Sequence, residues 1–125
     1  MPLLGVHWIM GCVSSSCFDV LVNGSPSDFF PATKGIRQGC PLSPLLFIVV
    51  IESLSRIIMD AQLKGLIKGF QYAPDLVITH LLFVDDVILI GIGTIGEWSA
   101  YKDALDLFFL ASGMTISLEK SSFLY

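Results

Sequence analysis

The chain reads as a mixed α+β fold. A strongly amphipathic helical segment, a pair of β-prone runs around Asp85-Asp86, and a second helical segment ending at a glycine follow one another along its 125 residues. Alternating helices and hairpins of this kind build one layer of helix on antiparallel strands.

Each element has a local cause. Residues 3–13 read as the end of a helix or an irregular apolar segment, with weak periodicity. Phe18 to Val22 alternates towards a strand, and Asn23-Gly24-Ser25-Pro26 is a turn signal. Phe29 to Arg37 returns as extended chain, because Pro31 forbids helix and Gly35 breaks a regular run. The best helix follows. Ser43 is a candidate N-cap with Pro44 at the first helical position, and Leu45, Leu46, Val49, Val50, Leu54, Ile57 and Ile58 recur at helical spacing. Gly65 is the expected stop. Ile67 to Tyr72 reads as a short strand ended by Pro74. Residues 77–92 then give two apolar runs on either side of Asp85-Asp86, a buried hairpin with the acids at its tip. A helix from about Ile95 to Ala111 carries Trp98, Tyr101, Leu105, Phe108 and Phe109 near one face, with Gly113 at its C-cap. Met114 to Leu118 reads as a last strand.

Composition narrows the class. The chain is 54% hydrophobic and 14% charged, with a mean hydropathy of +0.76, so it is a membrane protein or a piece whose apolar faces are normally covered. Leu42 to Ile51 ends at Glu52, short of the roughly 20 residues a spanning helix needs. Leu76 to Ile95 is long enough, but Asp85 and Asp86 sit at its centre, each costing about 2.5–3.5 kcal/mol at mid-bilayer. No Lys or Arg precedes the apolar N-terminus, which therefore makes a poor signal peptide. The expectation is a covered piece and no membrane.

The net charge of −4 is uneven. Residues 34–68 hold Lys34, Arg37, Arg56, Lys64 and Lys68 against Glu52 and Asp60, while Lys102 and Lys120 face the remaining acids. A sequence pI near 4.8 argues against free-standing nucleic-acid binding. Cys12, Cys17 and Cys40 form no CxxC pair, so neither a zinc site nor a disulfide framework is indicated. His7 and His80 are isolated in apolar surroundings and read as packing or surface residues.

Two adjacent carboxylates repel each other, and the repulsion falls when a divalent cation binds between them. Mg²⁺ takes hard oxygen ligands and commonly uses one or two carboxylates together with substrate phosphates. Alone, Asp85-Asp86 reads first as a polar turn between strands. Its surroundings change that reading. Phe83-Val84-Asp85-Asp86 resembles the (F/Y)-x-D-D box of reverse transcriptases. Gly35-Ile36-Arg37-Gln38-Gly39-Cys40-Pro41-Leu42-Ser43-Pro44-Leu45-Leu46-Phe47 resembles the second palm motif of that family, G-x-R-Q-G-x-P-L-S-P-x-L-F. Val20 to Pro26 is similar to the strand and turn before that motif in LINE-type (non-LTR retrotransposon) enzymes, and Ser112 to Ser121 resembles the family's S-G-L-x-I-N-x-x-K-S segment. Four matches in family order cover roughly residues 8–123.

The resemblance implies a partial palm subdomain of a right-hand polymerase, an antiparallel sheet whose central hairpin packs on two helices. It implies an RNA-directed DNA polymerase working by two-metal nucleotidyl transfer, with Mg²⁺ or Mn²⁺ on Asp85 and Asp86. Lys120 falls where a lysine approaches nucleotide phosphates. Gly35, Arg37, Gln38, Gly39 and Phe83 fall in template- and nucleotide-binding positions. Gly35 and Gly39 would let backbone approach a flat partner, and Arg37 and Gln38 offer charge and hydrogen bonds. Met114 and Ser117 stand where the family usually has Leu and Asn. RNA template, DNA primer and dNTPs are the implied partners of a parent enzyme, nuclear or cytoplasmic, with little or no nucleic-acid binding by these residues alone. The single domain expected over 1–125 lacks the family's first aspartate motif, fingers and thumb. Asp19 aligns after that motif and is not taken as a ligand. The isolated chain is therefore expected to be inactive; the alternative is a non-catalytic remnant or interaction module.

Overall fold

Wherever the chain forms a strand, it pairs locally. The computed structural model describes all residues except Met1, Lys34, Arg37, Gln38 and Tyr125, and all side chains of the rest except those of Pro2, Leu3, Leu4 and Cys12. The chain divides into two units, residues 1–46 and 47–125.

In the first unit, α1 (Pro2–Ser14) is followed by β1 (Cys17–Phe18), β2 (Leu21–Val22), β3 (Ser25–Pro26) and β4 (Phe30–Pro31). The expected Phe18–Val22 strand is divided: β1 pairs antiparallel with β4, and β2 with β3. Asn23 and Gly24 have φ of 51° and 81°, the double positive φ of a type I′ hairpin turn, so the turn signal marks a tight reversal. Val20 N–H donates to the Ser27 hydroxyl and Ser27 N–H to the Val20 carbonyl, closing the hairpin below that turn.

The long helix α2 (Leu42–Leu63) begins one residue before the expected cap at Ser43. It ends as the sequence indicates. Gly65 has φ 74°, its N–H reaches the Gln62 carbonyl, and Leu66 N–H reaches that of Ala61, the paired bonds of a Schellman cap. The helix runs straight through Glu52, which forms an ion pair with Arg56 one turn on. By length and composition alone it could cross a bilayer. Its Leu54 and Ile58 are buried against other elements of the chain, while Leu45, Ile48, Val49, Met59 and Leu63 are exposed.

After α2 come β5 (Phe70–Ala73), β6 (Leu76–Ile78), β7 (His80–Phe83), β8 (Asp86–Leu89) and α3 (Ile95–Ser112). β5 pairs with β6 and β7 with β8, both antiparallel. The apolar run from Val77 is thus shared between two hairpins, with the buried Thr79 between them. α3 is capped as a helix should be. The Thr94 side chain accepts the Glu97 N–H, and Gly113, at φ 71°, donates to the Phe109 carbonyl.

The core of this unit is Leu54, Ile58, Ile67, Tyr101, Ala104 and Phe108, with Val87 and Leu89 of β8 half-buried against it. The hairpin β7–β8 therefore lies on α2 and α3, as expected for a mixed α+β layout.

Two further expectations change. Ile67 is a buried coil residue and the strand starts later, at Phe70. Met114 to Leu118 is not a strand: the segment stays irregular and enters a 3₁₀ turn, Leu118–Lys120. A strand needs a neighbour to take its backbone groups. Here the Ser117 carbonyl instead accepts the Lys120 N–H and the Ser121 hydroxyl, so local bonds take their place.

Candidate functional site

The acidic pair sits at the end of β7–β8, one residue out of the expected register. The ladder pairs His80 with Leu89, Leu81 with Ile88, Leu82 with Val87 and Phe83 with Asp86. The two-residue loop is accordingly Val84-Asp85, and Asp86 is the first residue of β8. Positive φ at Val84 (53°) but not at Asp85 is the sign pattern of a type II′ turn. A β-branched side chain is poorly suited to that region, so the loop is held under strain beside both carboxylates.

The period-two alternation then fixes the faces. His80, Leu82, Val87 and Leu89 are half-buried, while Leu81, Phe83, Asp86 and Ile88 are exposed. Asp86 thus shares its face with the Phe83 ring across the ladder, and Asp85 projects from the loop, also exposed. Among the described residues no three His, Cys, Asp or Glu side chains group as a cation cage, so the tip offers two carboxylates and no third. Two hard oxygen donors suit a Mg²⁺-like ion that also takes ligands from bound phosphate.

The other candidates are placed as follows. Lys120 is exposed at the end of the 3₁₀ turn. The ion pairs among the described residues join Glu52 to Arg56, Asp60 to Lys64 and Lys102 to Asp106, so none links Lys120 to the aspartates. Gly35 and Gly39, in the first unit, have φ of 78° and 77°. A Cβ at either would meet nothing within 4 Å, so backbone conformation and not crowding within the chain calls for glycine. Arg37 and Gln38, between them, lie outside the described residues.

Sequence reasoning missed the polar cluster that supports the hairpin. Glu97 is only 2% exposed, although charged. One carboxylate oxygen accepts the N–H groups of Lys68 and Gly69, both at 2.9 Å, and the other accepts that of Ile92 at 2.7 Å. Burial pushes its pKa up, but backbone N–H groups of Gly69, Lys68, Ile92 and Gly93 together outweigh this and hold it below the ordinary value. Its signal was present: Thr94-Ile95-Gly96-Glu97 has the spacing of a capping box. The carboxylate forgoes the reciprocal bond of that motif and bridges two loops instead. His80 bonds the Thr79 hydroxyl through Nδ1 (2.9 Å) and the Ser55 hydroxyl through Nε2 (2.8 Å), tying β7 to α2. Burial lowers its pKa, opposed in part by the Glu52 charge.

Comparison with known proteins identifies relatives along the chain. Residues 3–125 match the family described as reverse transcriptase (RNA-dependent DNA polymerase). The chain is 28% identical over 113 residues to a retrovirus-related Pol polyprotein from the type-1 retrotransposable element R2 of Popillia japonica, covering 90% of this chain and 18% of that protein. It is 30% identical over 109 residues to an uncharacterized 149 kDa protein of transposon TX1 from Xenopus laevis, covering 87% of this chain and 8% of that protein. An uncharacterized mitochondrial protein of Arabidopsis thaliana is 42% identical over 67 residues, 53% of this chain and 55% of the relative. The chain thus spans about half of one relative and less than a fifth of the two transposon proteins. Matched along nearly its whole length, it belongs to the reverse transcriptase family, and within it to the LINE-type branch of non-LTR retrotransposons.

Proposed function

We propose that this chain carries part of the nucleotidyl-transfer centre of an RNA-directed DNA polymerase, with Asp85 and Asp86 as its cation ligands. Members of the family depend on divalent metal ions and use a nucleic-acid template and primer. The observation that carries the proposal is the exposed carboxylate pair on a strained two-residue hairpin whose other face is anchored in the core. A Mg²⁺ or Mn²⁺ ion bound there would lower the charge repulsion between primer hydroxyl, nucleotide phosphates and enzyme.

The remaining residues take the roles that the family resemblance implies for them. The exposed Phe83 ring beside Asp86 offers a flat apolar surface to a nucleotide. Gly35 and Gly39, open on the side a Cβ would occupy, leave room for a base pair to approach. Arg37 and Gln38 would contact phosphate and template, and Lys120 would approach nucleotide phosphates. RNA template, DNA primer and dNTPs are the partners in this reading, and no membrane is involved.

A second reading, a non-catalytic interaction module, draws on the exposed apolar surface of α2 at Leu45, Ile48 and Val49. Primer extension on an RNA template with Mg²⁺, by the gene product carrying this chain, separates the two. Incorporation that is lost in Asp85→Asn and in Asp86→Asn supports the polymerase. Incorporation absent with either metal, or unchanged by both substitutions, overturns it.

A further inference from the structure

Tyr101 connects the core to the hairpin that carries the aspartates. Its ring is 1% exposed and stacks at a tilt on Trp98, with centroids 5.4 Å apart. Its hydroxyl reaches two carbonyls, Thr79 at 2.8 Å and Ile90 at 2.7 Å, with one hydrogen shared between them. The Thr79 carbonyl also accepts the Ile90 N–H at 2.8 Å. Thr79 and Ile90 form the rung immediately below the His80–Leu89 pair, so the phenol closes the base of the ladder from the helix side. Glu97, one turn earlier on the same face of α3, holds the Ile92 N–H just beyond it. Burial, then the Glu97 charge, push the Tyr101 pKa upward, so the hydroxyl stays a donor.

We propose that Tyr101 is a positioning residue for the aspartate pair, locking β7 against β8 in the register that sets Asp86 opposite Phe83. The proposal rests on reading Asp85 and Asp86 as cation ligands. Strand register has a period of two, so a slip of one residue would turn Asp86 from the exposed face to the core face. The tip cannot fix that register well by itself, because its loop holds Val84 at positive φ. The restraint comes from the base, where one side chain grips both strands.

The test compares Mn²⁺ affinity, by the electron paramagnetic resonance of free Mn²⁺, in the 125-residue chain and three variants. Tyr101→Phe keeps the buried ring and removes only the hydroxyl. Phe108→Leu lowers core stability elsewhere on α3, and Asp85→Asn with Asp86→Asn removes the ligands. Binding is read well below each melting temperature. Tyr101→Phe should weaken Mn²⁺ binding about tenfold, the lower end for residues that orient metal ligands, while Phe108→Leu leaves it unchanged. Equal affinity in Tyr101→Phe and wild type, or equal weakening in Phe108→Leu, overturns the proposal. If the double Asn variant binds as wild type does, the reading of the aspartates is what fails. The Tyr101 register lock is then judged on hydrogen exchange at the Ile90 amide: acceleration in Tyr101→Phe beyond that in Phe108→Leu upholds it, and equal acceleration overturns it.

Discussion

A Cβ placed on Gly91 would lie 2.6 Å from a carboxylate oxygen of Glu97. That oxygen is fixed by the Ile92 N–H and its partner by those of Lys68 and Gly69, so the carboxylate has little room to yield. Glycine at 91 and glutamate at 97 therefore form one structural unit at the foot of the hairpin.

The first prediction is a double-mutant cycle on that unit. Gly91→Ala should destabilise the chain by about 1–3 kcal/mol through overpacking. Glu97→Ala should cost about 3 kcal/mol, since buried N–H groups lose their acceptor. In the Glu97→Ala background the cost of Gly91→Ala should largely disappear, because the clashing atoms are gone. Urea unfolding of the four proteins measures this; additive losses would show that the two residues do not share a site.

Acid should lower the stability of the chain in two steps. His80 has a folded pKa below its usual 6.5, so the unfolded state takes its proton first. The stability tied to neutral His80 is present above pH 6.5 and lost as pH falls through the folded value. Glu97 has a folded pKa below 4.5, and its contribution is present above that pH and lost as pH falls through its own lowered value. Melting temperatures of wild type and His80→Gln between about pH 8 and pH 2 check the assignment. The variant should lose the upper step and keep the lower one.

Val84 supplies the third prediction. At φ 53° a valine is strained, and glycine is not. Val84→Gly should stabilise the chain by up to about 1 kcal/mol, the strain relieved exceeding the entropy lost from the unfolded state. A destabilised variant in urea unfolding would mean that the loop depends on the valine side chain.

Much of this fold was legible in residues with local causes. Gly65 and Gly113 cap helices where their types predict, and Asn23-Gly24 makes a tight hairpin, because each acts within one turn of chain. The hairpin around Asp85-Asp86 was also readable, but its register was not. Polarity pointed to both aspartates as the loop, whereas pairing places Val84 in it, which intrinsic preference disfavours. Met114 to Leu118 looked like a strand by residue type, yet ladders depend on a partner that composition does not announce. The capping-box spacing marked Glu97, but not the distant partners it bridges to. Its N–H donors at Lys68 and Gly69 lie 29 and 28 residues away, so local spacing does not show that the carboxylate bridges to them.

The central claim is that the carboxylates at the β7–β8 tip form a cation site, and Mn²⁺ titration of the 125-residue chain, followed by paramagnetic broadening of backbone amide signals, tests it most directly. The account predicts selective broadening of Phe83 to Val87, removed in Asp85→Asn and Asp86→Asn together. Broadening centred elsewhere, or persisting at the tip in the double variant, would contradict it.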